Sequence, residues 1–252
     1  MKFHDLESAM RQYETCADYK VLPGIAMVAR LDGKGFSKLT NTLGLNKPFD
    51  NNFSDLMRYT THYLMENTGF KFLYGYTQSD EISLLFTKDE ETFGRKLRKI
   101  NSTLAGAASA AASLKAQQHL VFDCRVCQLP SIEVVQDYFS WRQSDATRNA
   151  RIGYCYWQLR SEGETARKAT SIMNGWNEAA QNEFLFSRNI NFNDITTWHK
   201  RGIGFYYESY EKEGFNPLTQ QKVIAVRRAL VQNEELPMKS DYRKFVSDIY
   251  NE

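Results

Sequence analysis

The chain has 252 residues, 42% of them hydrophobic and 25% charged, with a formal net charge of only +2. That length supplies core for one large domain or two small ones, and the composition is that of an ordinary soluble globular protein. No run approaches the roughly 18 apolar residues of a membrane span. The near-neutral balance leaves any polyanion site to local clustering rather than to the field of the whole chain.

Met1 to Leu6 lacks the apolar stretch of a secretory signal, so a cytoplasmic location is expected. Phe3, Leu6, Met10 and Tyr13 recur near helical spacing and predict an amphipathic helix over 3–16. After Pro23-Gly24 the run Ile25 to Ala29 predicts a strand at about 24–31, which leads into Arg30-Leu31-Asp32-Gly33. Phe53, Leu56, Met57, Thr60, Tyr63 and Leu64 predict a helix over 50–67, with Asp50 as its N-cap. Residues 70–87 are two strand patterns joined by the polar turn Gln78-Ser79-Asp80-Glu81, hence a β-hairpin. Residues 89–117 predict one long helix with a small-sided second half, and 120–128 a strand. Helical patterns start at Pro130-Ser131 and run to about 186, broken at Gly163 and Gly175; polar loops and strand-like pieces at 202–209 and 222–230 follow. The order β-α-β-β-α-β over 24–128 predicts an α+β, ferredoxin-like polymerase or cyclase palm. The expected elements divide the chain into a palm-like part, 1–130, and a mainly helical part with a few strands, 131–252, that completes it.

The chemistry-bearing residues sit at strand ends. Asp32 closes the first strand and Asp80 lies in the hairpin turn, so neighbouring strands would set the two carboxylates against each other. Such a pair suits Mg²⁺, which usually takes one or two protein carboxylates plus substrate phosphates. Two such ions suit nucleotidyl transfer. The Gly33 carbonyl can join that shell, and Gly35 extends a permissive loop. Glu81 is expected to point away from Asp80 and to act through an outer contact. Arg30, two residues before Asp32, should share its sheet face. Arg95, Arg98 and Lys99, at i, i+3 and i+4 of the expected helix, would form a phosphate-binding stripe or a solvated face.

Other constellations carry less. Cys124-Arg125-Val126-Cys127 could be half a zinc site or a redox pair, but no second ligand pair lies at matching spacing, and its strand-like setting favours buried structural cysteine. The four histidines form no spaced pair.

Seven segments in order carry a resemblance: Arg30 to Phe36, Lys47 to Asp50, Tyr74 to Glu81, Phe122 to Arg125, Asp137 to Asp145, Asn182 to Phe186 and Lys200 to Gly202. Over about residues 20–205 the chain resembles the tRNA-histidine guanylyltransferase superfamily, the 3′–5′ polymerases. The resemblance implies a palm-like homotetramer that adds nucleotides to tRNA 5′ ends using ATP, GTP and other NTPs with two Mg²⁺. It implies that Asp32, the Gly33 carbonyl and Asp80 hold the metals and that Glu81 assists them. Asp32, Gly33, Lys34, Gly35, Phe36, Ser37, Ser79 and Asp80 would line the nucleotide site, while Arg30, Lys47, Asp50, Arg95, Lys96 and Lys99 would meet triphosphates or the RNA end. Thr147-Arg148-Asn149-Ala150 stands where the eukaryotic enzymes carry His-Ile-Asn-Asn, so Asn149 is retained. Ser37 and Gln181 depart as well. These departures resemble the guanylyltransferase-like branch, which implies templated repair of truncated tRNA 5′ ends rather than obligatory G addition to histidine tRNA. The alternatives are a nucleotidyl cyclase on a similar palm and a catalytically decayed tRNA-binding module.

Overall fold

The structure is a computed structural model that describes residues 3–36, 40, 44–216 and 221–251. Six strands form one sheet in the order β4-β1-β3-β2-β5-β6, every neighbouring pair antiparallel. The strands are β1 (Ala26–Gly33), β2 (Phe72–Gln78), β3 (Glu81–Phe86), β4 (Phe122–Leu129), β5 (Ile203–Asn216) and β6 (Gln221–Asn233). The first four in the order 4-1-3-2 make the expected palm, and β5-β6 extends it at the β2 edge.

Strand side chains alternate, so each strand feeds two cores. Ala29, Leu31, Ile82, Leu84 and Phe72 face α2 (Asn51–Asn67) and α3 (Leu97–Ala116). Val28, Tyr74, Tyr76 and Leu85 face the other way, onto α4 (Ile132–Ser161) and α8 (Lys239–Asn251). The result is a three-layer sandwich. At Gly75 in β2 an added Cβ would meet Met65 Sδ of α2 at 2.6 Å, so the absence of a side chain lets helix and sheet approach. Two short helices, α5 (Ala166–Met173) and α6 (Glu178–Phe186), pack on α4, and α7 (Thr197–Arg201) leads into β5. The opening helix α1 (Phe3–Thr15) buries none of its residues. Among the described residues no helix is long and apolar enough to cross a membrane.

Two expectations change. The helix predicted from residue 89 starts at Leu97, because Phe93, Gly94 and Arg95 take positive φ (57°, 58° and 58°) and 92–95 form a separate 3-10 turn. The C-terminal helix α8, which buries Tyr242, Val246 and Ile249 at i, i+4 and i+7, was not expected. Cys124 and Cys127 lie three apart on β4 and pack on opposite cores, so they meet neither each other nor a common ion.

Candidate active site

Asp32 reaches its position because β1 runs four residues past the apolar run Ile25 to Ala29, where it still pairs with β3 and β4. Register sets Glu81 of β3 on one side of Asp32 and Asp123 of β4 on the other. Directly opposed residues share a face, so three carboxylates form a row across three strands. Arg30 and Arg125 form the row beneath, also as opposed partners. Arg125 contacts Asp123 at 3.4 Å, and Arg30 contacts Asp32 at 3.4 Å and also pairs with Glu81. Like charges at this spacing are destabilising, and the arginine row offsets them.

Asp80 joins from the hairpin. The two-residue loop Ser79-Asp80 puts Ser79 at φ 54°, a left-handed conformation that costs a non-glycine residue on the order of 1 kcal/mol. The Gly33 N–H donates to the Asp80 carbonyl at 3.0 Å, which locks the turn onto the end of β1. The Ser79 hydroxyl donates to the Asp80 carboxylate at 3.2 Å. Burial raises the Asp80 pKa above the ordinary carboxylate value, and the charge of Asp32 adds to the rise. The Asp32 pKa is raised too, by burial first and then by Glu81, with Arg30 opposing. No Lys or Arg pairs with Asp80 among the described residues. At Gly33 an added Cβ would meet the Phe36 ring at 2.5 Å, so this position admits no side chain and keeps its backbone open.

Two cavities flank Asp80. One, of about 270 Å³, is lined by Phe36, Lys47, Asp50, Thr77, Trp157 and Trp198 among others. The second, of about 230 Å³, is lined by Tyr76, Glu81, Arg142, Asp145 and Asn149 among others. Gln78, Ser79, Asp80, Pro48, Phe49 and Trp157 line both. Lys47 donates to the Thr40 hydroxyl at 2.8 Å and lies 5.5 Å from the Trp157 ring centroid; burial lowers its pKa. Asp50 caps α2 as expected, accepting from the N–H groups of Asn52 (2.8 Å) and Phe53 (3.1 Å), and from Asn46 at 2.9 Å. The wall behind this loop is aromatic: Phe49 stacks on His199 at 4.3 Å, and His199 Nδ1 lies 2.7 Å from the Tyr154 hydroxyl.

The structure therefore brings Arg30, Asp32, Gly33, Ser79, Asp80 and Glu81 together, with Phe36, Lys47 and Asp50 in the first cavity and Asn149 in the second. Lys34 and Gly35 lie on the loop after β1, where the Lys34 N–H donates to the Val121 carbonyl at 2.8 Å. Ser37 lies outside the described residues. The basic stripe is a correction. Arg95 is 3% exposed, and its guanidinium donates to the backbone carbonyls of Val21, Glu90 and Ile25. It is off the helix and has no face free for phosphate. Lys96 and Arg98 both pair with Asp18, and Lys99 is exposed. Arg95 donates to the Ile25 carbonyl just before β1, at the opposite end of that strand from Asp32. Sequence reasoning gave no role to Asp123, Arg125 and Arg142; the first two were legible as the alternating Asp-x-Arg of a strand that mirrors Arg30-x-Asp32.

A palm sheet with two carboxylates at the meeting point of β1 and the β2–β3 turn, beside paired cavities, has the layout of an enzyme site that suits a nucleotide and a divalent cation. Comparison with known proteins narrows the class. Residues 7–130 match the family described as tRNAHis guanylyltransferase, and residues 133–248 match the Thg1 C terminal domain. A relative from Drosophila melanogaster, named a probable tRNA(His) guanylyltransferase, is 31% identical over 73% of this chain and 68% of its own. A bacterial tRNA(HIS) guanylyltransferase (Thg1)-like protein in complex with ATP superposes with TM-score 0.78 at 27% identity, covering 97% of this chain and 98% of its own. One in complex with GTP gives 0.72 at 28% identity, covering 98% and 99%. The chain belongs to the tRNA(His) guanylyltransferase family, whose members are nucleotidyltransferases.

Proposed function

We propose that this chain is an Mg²⁺-dependent nucleotidyltransferase that extends tRNA 5′ ends in the 3′–5′ direction, repairing truncated ends against the opposing strand. The observation that carries it is the Asp80 turn locked onto the Asp32-Gly33 end of β1, with a cavity on each side of Asp80, in a chain of this family. The donor set fits the metal. Asp32, Asp80 and the Gly33 carbonyl are hard oxygen ligands, and the two carboxylates repel one another, with no Lys or Arg among the described residues paired to Asp80. Bound there, Mg²⁺ supplies the charge that neutralises phosphate oxygens and eases ionisation of the attacking hydroxyl.

The reaction joins the 3′-oxygen of an incoming nucleotide to the 5′-terminal α-phosphorus of the tRNA. The hydroxyl proton leaves, and the bond to pyrophosphate breaks. Lys47 places one cation in the first cavity for a triphosphate, and the aromatic wall of Phe49, Trp157 and Trp198 gives a base surfaces to stack on. Asn149 in the second cavity offers an amide to the RNA end. GTP and ATP, which the two solved neighbours hold, are the nucleotides expected first. The proposal includes a cytoplasmic homotetramer, as the family resemblance implies.

The test uses triphosphorylated tRNAs lacking the first nucleotide, with the opposing base varied, labelled NTPs and Mg²⁺. Incorporation should follow the opposing base, and Asp32→Ala or Asp80→Ala should each lower it by about 10³-fold or more with the fold intact. Activity retained in either variant refutes the metal assignment. A cyclic product from NTP alone refutes the RNA substrate.

A further inference from the structure

One buried cation enters the site from α4 and has no part in the reading above. Arg142 is 5% exposed, and its Nη1 donates to Glu81 Oε2 at 2.8 Å. Its Nη2 meets Asp145 at 3.4 Å, and its guanidinium lies 3.7 Å from the Trp141 ring centroid, which fixes its plane. The other oxygen of Glu81, Oε1, is taken by Arg30. Each oxygen of this carboxylate thus carries its own guanidinium. Glu81 also stands directly opposite Asp32 in the register and next to Asp80 in sequence. Its Cβ is therefore about 5 Å from that of Asp32 on the same face. Released, it would be a third carboxylate at any cation held by Asp32 and Asp80.

We propose that Arg142 is a positioning residue which, with Arg30, holds Glu81 out of the metal set, so that the site keeps two carboxylates. Mg²⁺ at nucleotide sites works with one or two carboxylates, leaving positions for water and phosphate oxygens. A third carboxylate would bind the ion more tightly and compete with the triphosphate. The inference rests on the metal reading above and asks which carboxylates that reading includes.

The test titrates Mn²⁺ into the full chain without nucleotide or RNA and reads free Mn²⁺ by electron paramagnetic resonance. Single-turnover addition is measured in parallel. Wild-type binding should depend on Asp32. Arg142→Ala should bind Mn²⁺ about tenfold more tightly, as one further unit charge near a divalent ion implies even in high dielectric, while its turnover falls. Arg142→Lys should restore both in part, and Arg142→Ala combined with Glu81→Gln should return affinity to the wild-type value. A merely structural role would weaken Mn²⁺ binding along with activity. If Arg142→Ala gives no cooperative melt, Glu81→Gln decides: wild-type Mn²⁺ affinity supports the proposal, and a tenfold loss overturns it because Glu81 is then already a ligand. Asp32-dependent binding that Arg142→Ala leaves unchanged or weakens overturns this inference alone. Binding indifferent to Asp32→Ala overturns the metal reading, and the inference with it.

Discussion

Asp50 is the position where one side chain serves both the fold and the cleft, and Asp50→Ala separates the two. Its Oδ1 accepts from the first-turn N–H groups of Asn52 and Phe53, and its Oδ2 from Asn46 across the loop that walls the first cavity. Loss of a helix cap costs about 1 kcal/mol, and a buried N–H deprived of a charged acceptor about 1–2 kcal/mol more. The sum is about 2–3 kcal/mol, which for a chain of this size lowers Tm by about 5–10 °C. Asp50→Asn keeps one acceptor oxygen for the helix but turns an amine toward Asn46, so about half the loss is expected. Thermal and urea unfolding give the stability, and the KM for NTP gives the state of the loop, which should rise in the same order as the loss. A Tm change below about 2 °C, or a raised KM at unchanged stability, would refute the reasoning. The second result would mean that Asp50 touches nucleotide rather than shaping its wall. The sign with pH follows. Burial pushes the carboxyl pKa up, but the N–H groups of Asn46, Phe53 and Asn52 outweigh it and hold the value below the ordinary one. The contribution is therefore complete above about pH 4 and is lost as pH falls through the lowered value.

Arg95→Ala leaves three backbone carbonyls without their donor and should cost about 3–4 kcal/mol in urea unfolding; a cost below about 1 kcal/mol would show that the guanidinium is not structural. His199 has its pKa pushed down to about 4, by burial first and by Lys200 second. The unfolded chain, with an ordinary value near 6.5, therefore takes up the proton first, and stability falls as pH drops from about 6.5 to 4. Melting curves of wild type and His199→Phe at pH 7.5, 5.5 and 4.5 should show a smaller acid loss in the variant, and parallel losses would refute the assignment.

Local signals were legible where one segment decided the outcome. Apolar runs of strand length around Val28 and Leu84 gave the palm strands, and Asp50 before an apolar 3.6-residue period gave its own cap. The basic stripe failed because periodicity was carried across Phe93-Gly94-Arg95, where the backbone turns left-handed and the glycine marked the break. The last helix was passed over although Tyr242, Val246 and Ile249 carry its period, since polar residues between them mask a half-buried face. The partners of Glu81 were out of reach: Arg30 lies 51 residues before it and Arg142 61 after. Only the fold brings a β1 arginine and an α4 arginine onto one carboxylate.

The pairing of β5 with β2 has a consequence for how the chain can be divided. The two family matches meet between residues 130 and 133, yet the first half ends with its β2 edge covered by the second. Tyr74 reaches the Tyr242 hydroxyl at 3.1 Å, and the Tyr76 ring lies so close to Gly202 that an added Cβ would sit 2.6 Å from its oxygen. The boundary in sequence is thus not a seam in the material. Cut there, the first half would lose the cover over Val28, Tyr74 and Leu85 and offer a bare strand edge to any neighbour. The two halves therefore fold as one body, and neither can be trimmed away without baring the interior they share.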